Sequence, residues 1–464
     1  MQTSTSRSPA VSVADLRAAV RGRVIGPNDE GYDAARTVVS GGIDRHPAVI
    51  VRAAGADDVA HVVRLARDTG LELAVKSGGH SGAGHGTTEG GILLDVSEMK
   101  ALDIDADGRT AWAESGLTAG EFTAAAAAHG LVVGFGDTGS VGIGGITLGG
   151  GIGYLVRKHG LTIDNLIAAE VVTADGELRS VDLETEPDLF WAIRGGGGNF
   201  GVATRFRFRL YELPGIVGGM LVLPATAETV AGFIAAAEAA PEELSTIANV
   251  MTAPPVPFLP PEVHGELVIL GMLAWSGDPE AGERVIAPFR ALAAPFADMV
   301  RPMGYHEMFP PDEADYHPLA IARTMFLDRV DRSVASTIFE TLRAYDAPMR
   351  VAQLRVLGGA MARVPVHATA FAHRASRIMV SLAAFYEGPD DKADREAWVD
   401  AFAATLRQDD GGAYVNFLSD EGEAGVRAAY PGATWDRLVG IKRRYDPTNL
   451  FRLNQNVPPT KEPA

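Results

Sequence analysis

Cysteine is absent from all 464 residues. That one absence excludes disulfides, thiolate metal ligands, iron–sulfur clusters and cysteine nucleophiles, and it limits any covalent cofactor link to other side chains. Positive charge is scarce too, with 59 acidic against 41 basic residues and a formal net charge of −18. No Lys/Arg cluster offsets it, so neither nucleic acid nor an anionic membrane surface is an expected partner. Long apolar runs are missing as well. No window approaches the roughly 18 apolar residues of a membrane span, and the leading MQTSTSRSPAVSVADLRAAV has no apolar core of signal-peptide length. The expected location is cytoplasmic.

What is present is ample for folding: 47% hydrophobic residues over this length imply two or three domains with real cores. Val49 to Arg52 reads as a short strand, followed by a helix that Asp57 can cap and whose Val59, Val62, Val63 and Ala66 share one face. Gly70 closes it, and Leu73 to Val75 returns as a strand. Thr118 and Glu121 form a capping box for an alanine-rich helix ending near His129, with a strand from Leu131 to Val133 beyond Gly130. AAEVVTADGELRSV reads as a hairpin on an Asp-Gly turn. After PDLFWA, a short helix, an alternating strand sets Arg205, Arg207 and Arg209 against Phe206, Phe208 and Leu210.

Glycine is concentrated in three loops. KSGGHSGAGHG, residues 76 to 86, puts His80 and His85 among five glycines directly after a strand. In residues 134 to 153, GFGDTGSVGIGGITLGGGIG, ten of twenty residues are glycine, and a third run is GGGG at 195–198. Such density is expected to be neither helix nor strand. The second run also carries Val141, Ile143, Ile146, Leu148 and Ile152, unlike a polar flexible linker. GFGDTG at 134 and GGGNFG at 196 match a dinucleotide fingerprint, but neither has the following helix and the later acidic residue that a Rossmann site needs. His80 and His85 lack a third metal partner at plausible spacing, so no metal site is expected. Glycine loops at strand ends can instead turn backbone N–H groups to a pyrophosphate without lysines. His80 would then offer a nucleophilic imidazole of near-neutral pKa to the rest of a bound dinucleotide.

VKSGGHS, GSVGIGGITLGGGIGYLVRKHGLTIDN, DLFWAIRGGGGNFGVAT and YDPTNLFRLNQN together resemble the berberine-bridge-enzyme-like flavoproteins, within the vanillyl-alcohol oxidase and p-cresol methylhydroxylase superfamily. The motifs run in order from residue 45 to 458. The resemblance implies an α+β, two-domain flavoprotein of the vanillyl-alcohol oxidase type. Its FAD-binding domain would span residues 1–213 and be completed by 418–464, and an α+β substrate domain with an antiparallel sheet would occupy 214–417.

It further implies that His80 carries FAD through the 8α-methyl group. Many relatives add a second link from a cysteine; Thr138 stands in that place here, so the flavin would be bound once, leaving it more accessible and somewhat less oxidising. By the same resemblance Ser77, Gly78, Gly79 and Ser81 cradle the pyrophosphate, and Gly139, Gly142, Gly144, Gly145, Gly149 and Gly153 line the cofactor. Val202 contacts the adenosine side, and Asn454 and Asn456 reach the isoalloxazine. Val141 with Gly136 matches the open pair of relatives that react with oxygen; a packed apolar Val141 fits the spacing equally.

The implied function is an FAD-dependent oxidase that takes a hydride from a small organic substrate such as an alcohol, sugar, amine or secondary-metabolite intermediate, and passes the electrons to molecular oxygen. A dehydrogenase with another acceptor and a flavin-loaded binding protein are the alternatives. For the base, Tyr430 stands seven residues before Arg437, as does a tyrosine that relatives place beside the flavin. Strand alternation in RVAQLRVLGG puts Gln353 and Arg355 on one face, where Arg355 would lower the phenol pKa and Gln353 would orient substrate. The alternative keeps Tyr430 as a helix-end aromatic in the domain interface and Arg355 as an ion-paired residue.

Overall fold

A computed structural model of the chain describes residues 12–310, 316–408 and 411–460. The first part of the leading stretch read for a signal peptide, residues 1–11, lies outside the described residues, as do 461–464. Three principal sheets organise the rest. The first orders its strands Arg23–Ile25, Val49–Arg52, Ile92–Asp95 and Leu73–Lys76, the first pair antiparallel and the others parallel. Helix Ala56–Thr69 makes the crossover and buries Val59, Val62, Val63 and Ala66, and Gly70 ends it with φ +71. Asp57 does not cap this helix. Gly55 is the capping residue; Asp57 pairs with Arg21, and the neighbouring Asp58 accepts from the N–H groups of Arg21, Gly22 and Ala54.

The second sheet is antiparallel, in the order Leu102–Asp105, Thr110–Glu114, Val202–Arg209, Leu166–Val172 and Leu178–Val181. The last two strands are the Asp-Gly hairpin. Phe206 and Phe208 are fully buried, and Phe208 packs edge-on against Phe122 and Phe135. Phe122 belongs to the helix Ala119–Ala127, whose Thr118–Glu121 capping box is formed in both directions.

The third sheet has eight antiparallel strands among the described residues, between Ile216 and Phe385. Alternation divides its faces. Ala248, Val250, Ala352, Leu354, Val380 and Leu382 point into a core closed by helices such as Ala227–Ala239, Arg332–Ala344 and Pro389–Leu406. The residues between them, Asn249, Val351, Gln353, Arg355 and Ser381, point the other way, into a cavity shared with the glycine loops. Strand periodicity thus gives this sheet one apolar and one partly polar face.

The chain end closes against the second sheet's lobe. Helix Ala433–Tyr445 carries Lys442, which is fully buried with Asp446 at 2.7 Å. Its ammonium also donates to the carbonyls of Asn199 and Phe451, and Asp446 accepts from the N–H groups of Leu450 and Phe451. A charge pair out of water is tolerated because these bonds satisfy both partners. Asn199 in turn donates to the Gln455 carbonyl at 3.0 Å and accepts from the Val457 N–H at 2.8 Å. The polar tail is therefore held along the third glycine run. Among the described residues no helix is long and apolar enough to cross a membrane.

Candidate functional site

The first glycine loop leaves strand Leu73–Lys76 and passes Gly79 with φ +72. It meets the second loop at backbone distance: a Cβ on Gly78 would lie 2.3 Å from the Gly142 nitrogen, and one on Gly142 would lie 2.0 Å from Ser77 Oγ. Only glycine permits that approach. Ser77 Oγ donates to the Ser115 carbonyl at 2.7 Å, fixing the turn. Contrary to the expectation from its composition, the second run is not loop throughout, since Ile143–Gly149 forms a short helix. Buried Ile143 and Thr147 anchor that turn, and they offset the cost of its glycines.

Between these loops, the third run and the large sheet lies a cavity of about 650 Å³, within the range of ligand sites. From the first loop Ser77, Gly78, Gly79, His80 and Ser81 line it, and from the second Thr138, Val141, Gly142, Gly144 and Gly145; Val202 and Asn454 also face it. His80 Nε2 is hydrogen-bonded to Ser140 Oγ at 2.8 Å, which orients the ring.

Four residues expected at the cofactor are elsewhere. A Cβ on Gly139 would face Phe309, one on Gly149 would lie 1.9 Å from Asn416 Oδ1, and one on Gly153 would lie 2.4 Å from the carbonyls of Phe135 and Gly136. Gly149 and Gly153 serve close approach of chain to chain, whereas Gly139 would make ordinary contact. Asn456 faces a separate cleft of about 280 Å³, which shares His85, Asn454 and Gln455 with the main cavity. Burial, helped by Arg45, lowers the His85 pKa to about 4 and keeps it neutral.

The sheet's polar face is one connected network. Arg355 donates through Nε and Nη2 to Gln353 Oε1 at 2.9 and 2.7 Å, through Nη1 to the Ile152 carbonyl at 3.1 Å, and through Nη2 to Asp137 Oδ2 at 2.6 Å. The guanidinium carbon lies 5.1 Å from the ring centre of Phe417. Gln353 Nε2 donates to Asn249 Oδ1 at 2.8 Å, and Asn249 donates onward to the Leu270 carbonyl. Gln353 and Arg355 do share one face, as alternation requires.

Tyr430 does not join them. It ends helix Gly422–Ala429, is 1% exposed within the core around Phe190 and Leu438, and does not line the cavity. Its hydroxyl has no hydrogen-bond partner among the described residues, and burial alone pushes the phenol up, with no opposing cation. Tyr154 and Tyr414 both feel Arg355, and of the two only Tyr414 lines the cavity. The residue lines the cavity, and its hydroxyl accepts from the Gly151 N–H at 2.8 Å and from Asn416 Nδ2 at 2.9 Å. Burial raises its pKa, while the N–H groups of Gly151, Asn416 and Ile152 and the charge of Arg355 oppose the rise. The signal for Tyr414 is the Tyr and Asn two apart in AYVNF, which a 3-10 turn over Val415–Phe417 brings into hydrogen-bond contact; the missing partner, Asp137, lies inside the glycine run and breaks its apolar pattern.

Residues 47–182 match the model of an FAD binding domain, and residues 413–458 match the berberine and berberine-like model. The chain is 30% identical over 457 residues to (R)-6-hydroxynicotine oxidase of Paenarthrobacter nicotinovorans, covering 95% of this chain and 97% of that one. It is 28% identical over 455 residues to the xylooligosaccharide oxidase of Thermothelomyces thermophilus, covering 89% of this chain and 88% of that one. The solved structure of 6-hydroxy-D-nicotine oxidase from Arthrobacter nicotinovorans superposes with a TM-score of 0.85 at 28% identity, covering 95% of this chain and 98% of that one.

Proposed function

The chain belongs to the berberine-bridge-enzyme-like FAD-linked oxidoreductases, and from that premise we propose that it is an oxidase with Tyr414 as its base, His80 as its single covalent flavin ligand and molecular oxygen as its electron acceptor. The flavin lobe is residues 1–213 with 418–464, and the substrate lobe is 214–417. Two features of the cavity suit the cofactor. A Cβ on Gly145 or Gly198 would meet nothing within 4 Å, so both backbones are open to a ligand, and the buried Asn454 Oδ1 has no hydrogen-bond partner among the described residues. Bound flavin supplies a two-electron acceptor. Ser77, Gly78, Gly142 and Gly145, which line the cavity, would hold it, and Thr138, in the place of the second link, would form none.

The observation that carries the reading is Tyr414, a cavity-lining residue whose hydroxyl accepts from the Gly151 N–H and from Asn416 Nδ2. Burial holds the phenol protonated, and those donors and Arg355 oppose that rise, so Tyr414 is the group placed to take the proton of a substrate hydroxyl or amine as its C–H bond is oxidised. Gln353 orients that substrate. Phe417, Val351 and Leu418 exclude water from one side. An anaerobic bleaching screen over small alcohols, sugars and cyclic amines tests the enzyme: flavin absorbance should be lost with a substrate and return quickly in air. A flavin that no compound bleaches contradicts the reading, and one that reoxidises only slowly contradicts the oxidase assignment.

A further inference from the structure

We propose that the Arg355–Asp137 pair sets the charge selectivity of the substrate site, reserving it for uncharged, hydroxyl-bearing compounds over organic cations and anions. The inference rests on the reading above, in which the Tyr414 end of the cavity takes substrate. Asp137 comes from the second glycine loop and Arg355 from the large sheet, so the two lobes each contribute one member. An unpaired Asp137 carboxylate lining this cavity would draw an ammonium, in keeping with the chain's net charge of −18. Arg355 cancels that charge locally. It is 3% exposed and already makes four hydrogen bonds, with Phe417 against its plane, so it has little left for an incoming anion.

The remaining polar wall is neutral. Asn249, Gln353 and Ser381 stand opposite one another on three adjacent strands, giving amide, amide and hydroxyl in one row. Gln353 Oε1 is occupied by Arg355 and Asn249 Oδ1 by Gln353, so the amide orientations are fixed along the row. Besides Tyr414, the other titratable groups lining the cavity are on its first-loop side: His80 is hydrogen-bonded to Ser140, His85 is held neutral and Lys76 is paired with Asp95 at 3.5 Å. A bound ion at the Tyr414 end would lose its water without gaining a counter-charge.

The test titrates FAD-loaded wild-type and variant protein with benzyl alcohol, benzylammonium and benzoate, three ligands of similar size and different charge, followed by flavin absorbance and calorimetry. Wild type should bind the alcohol at least about tenfold more tightly than either ion, since an unpaired charge in a dry site readily costs that much. Arg355→Met should shift preference about tenfold toward benzylammonium, and Asp137→Asn toward benzoate by a similar factor. The double variant Arg355→Met/Asp137→Asn should return the preference to the alcohol. A pair that only packs would weaken all three ligands together in the single variants, and this outcome overturns the inference. So does wild type binding benzylammonium as tightly as the alcohol, or no ligand binding to any of the four proteins. Ligands that bind without perturbing the flavin spectrum overturn the reading of the cavity itself along with the inference, whereas equal affinities with a perturbed spectrum overturn the inference alone.

Discussion

Asn416 lies so close to Gly149 that a Cβ there would stand 1.9 Å from its Oδ1. The same amide donates to the Ile146 carbonyl at 3.1 Å and to the Tyr414 hydroxyl at 2.9 Å. Gly149→Ala should therefore expel Asn416, costing about 1–3 kcal/mol by overpacking. Flavin reduction should fall more than tenfold as Tyr414 loses a donor. Adding Asn416→Ala should restore the melting temperature but not the reduction rate, a combination that calorimetry and stopped-flow absorbance would read.

Tyr414→Phe should slow flavin reduction by about 10² to 10⁴ with flavin content unchanged. Tyr430→Phe should reduce at nearly the wild-type rate and lose no stability, because it deletes a buried hydroxyl with no partner among the described residues. The opposite ranking in single-turnover measurements would return the base to Tyr430.

Denaturing electrophoresis of the wild type should show a fluorescent protein band that His80→Ala lacks. With no thiol in the chain, digestion should leave the flavin on the peptide containing His80. A colourless wild-type band would contradict the covalent link.

Val141 lines the cavity, and its carbonyl is held by the Ala119 N–H at 2.8 Å, so a larger side chain must extend inward. Val141→Leu should slow reoxidation by air much more than reduction by substrate. Equal slowing of both half-reactions would mean that Val141 only packs.

His159 stacks on Tyr211 with ring centres 3.9 Å apart, and burial lowers its pKa to about 4. Unfolded, it titrates near 6.5. Between those values the unfolded chain binds the extra proton, so stability is full above about pH 6.5 and falls as pH drops towards 4, by at most about 1.4 kcal/mol per pH unit for this group. His85 adds a drop of the same sign. His159→Phe keeps the stacking and should make the acid limb of a melting-temperature profile shallower.

Local signals in the sequence were sufficient where local chemistry decides. The Gly70 stop, the Thr118–Glu121 box, the Asp-Gly hairpin and the shared face of Gln353 and Arg355 all depend on residues within one turn or one strand. The partners of those residues were not legible. Arg355 meets Asp137 across 218 positions and Tyr414 meets Gly151 across 263, and spacing along a chain carries no trace of such approaches. The same limit misplaced Tyr430, whose position before Arg437 says nothing about which core encloses it. For glycine the density was legible but the cause was divided: Gly145 opens to the cavity, while Gly149 and Gly153 yield to a side chain and to backbone.

The clasp of Asn199 on Gln455 and Val457 also sets an order of events during synthesis. Its two sides are 256 residues apart, with the whole large sheet between them. A nascent chain can form both glycine-loop sheets and still lack the wall that Asn454 and Gln455 supply. Closing so long a loop is entropically late. A ribosome-bound chain halted before Lys442 would therefore carry His80, the proposed flavin ligand, in a cleft that is still open.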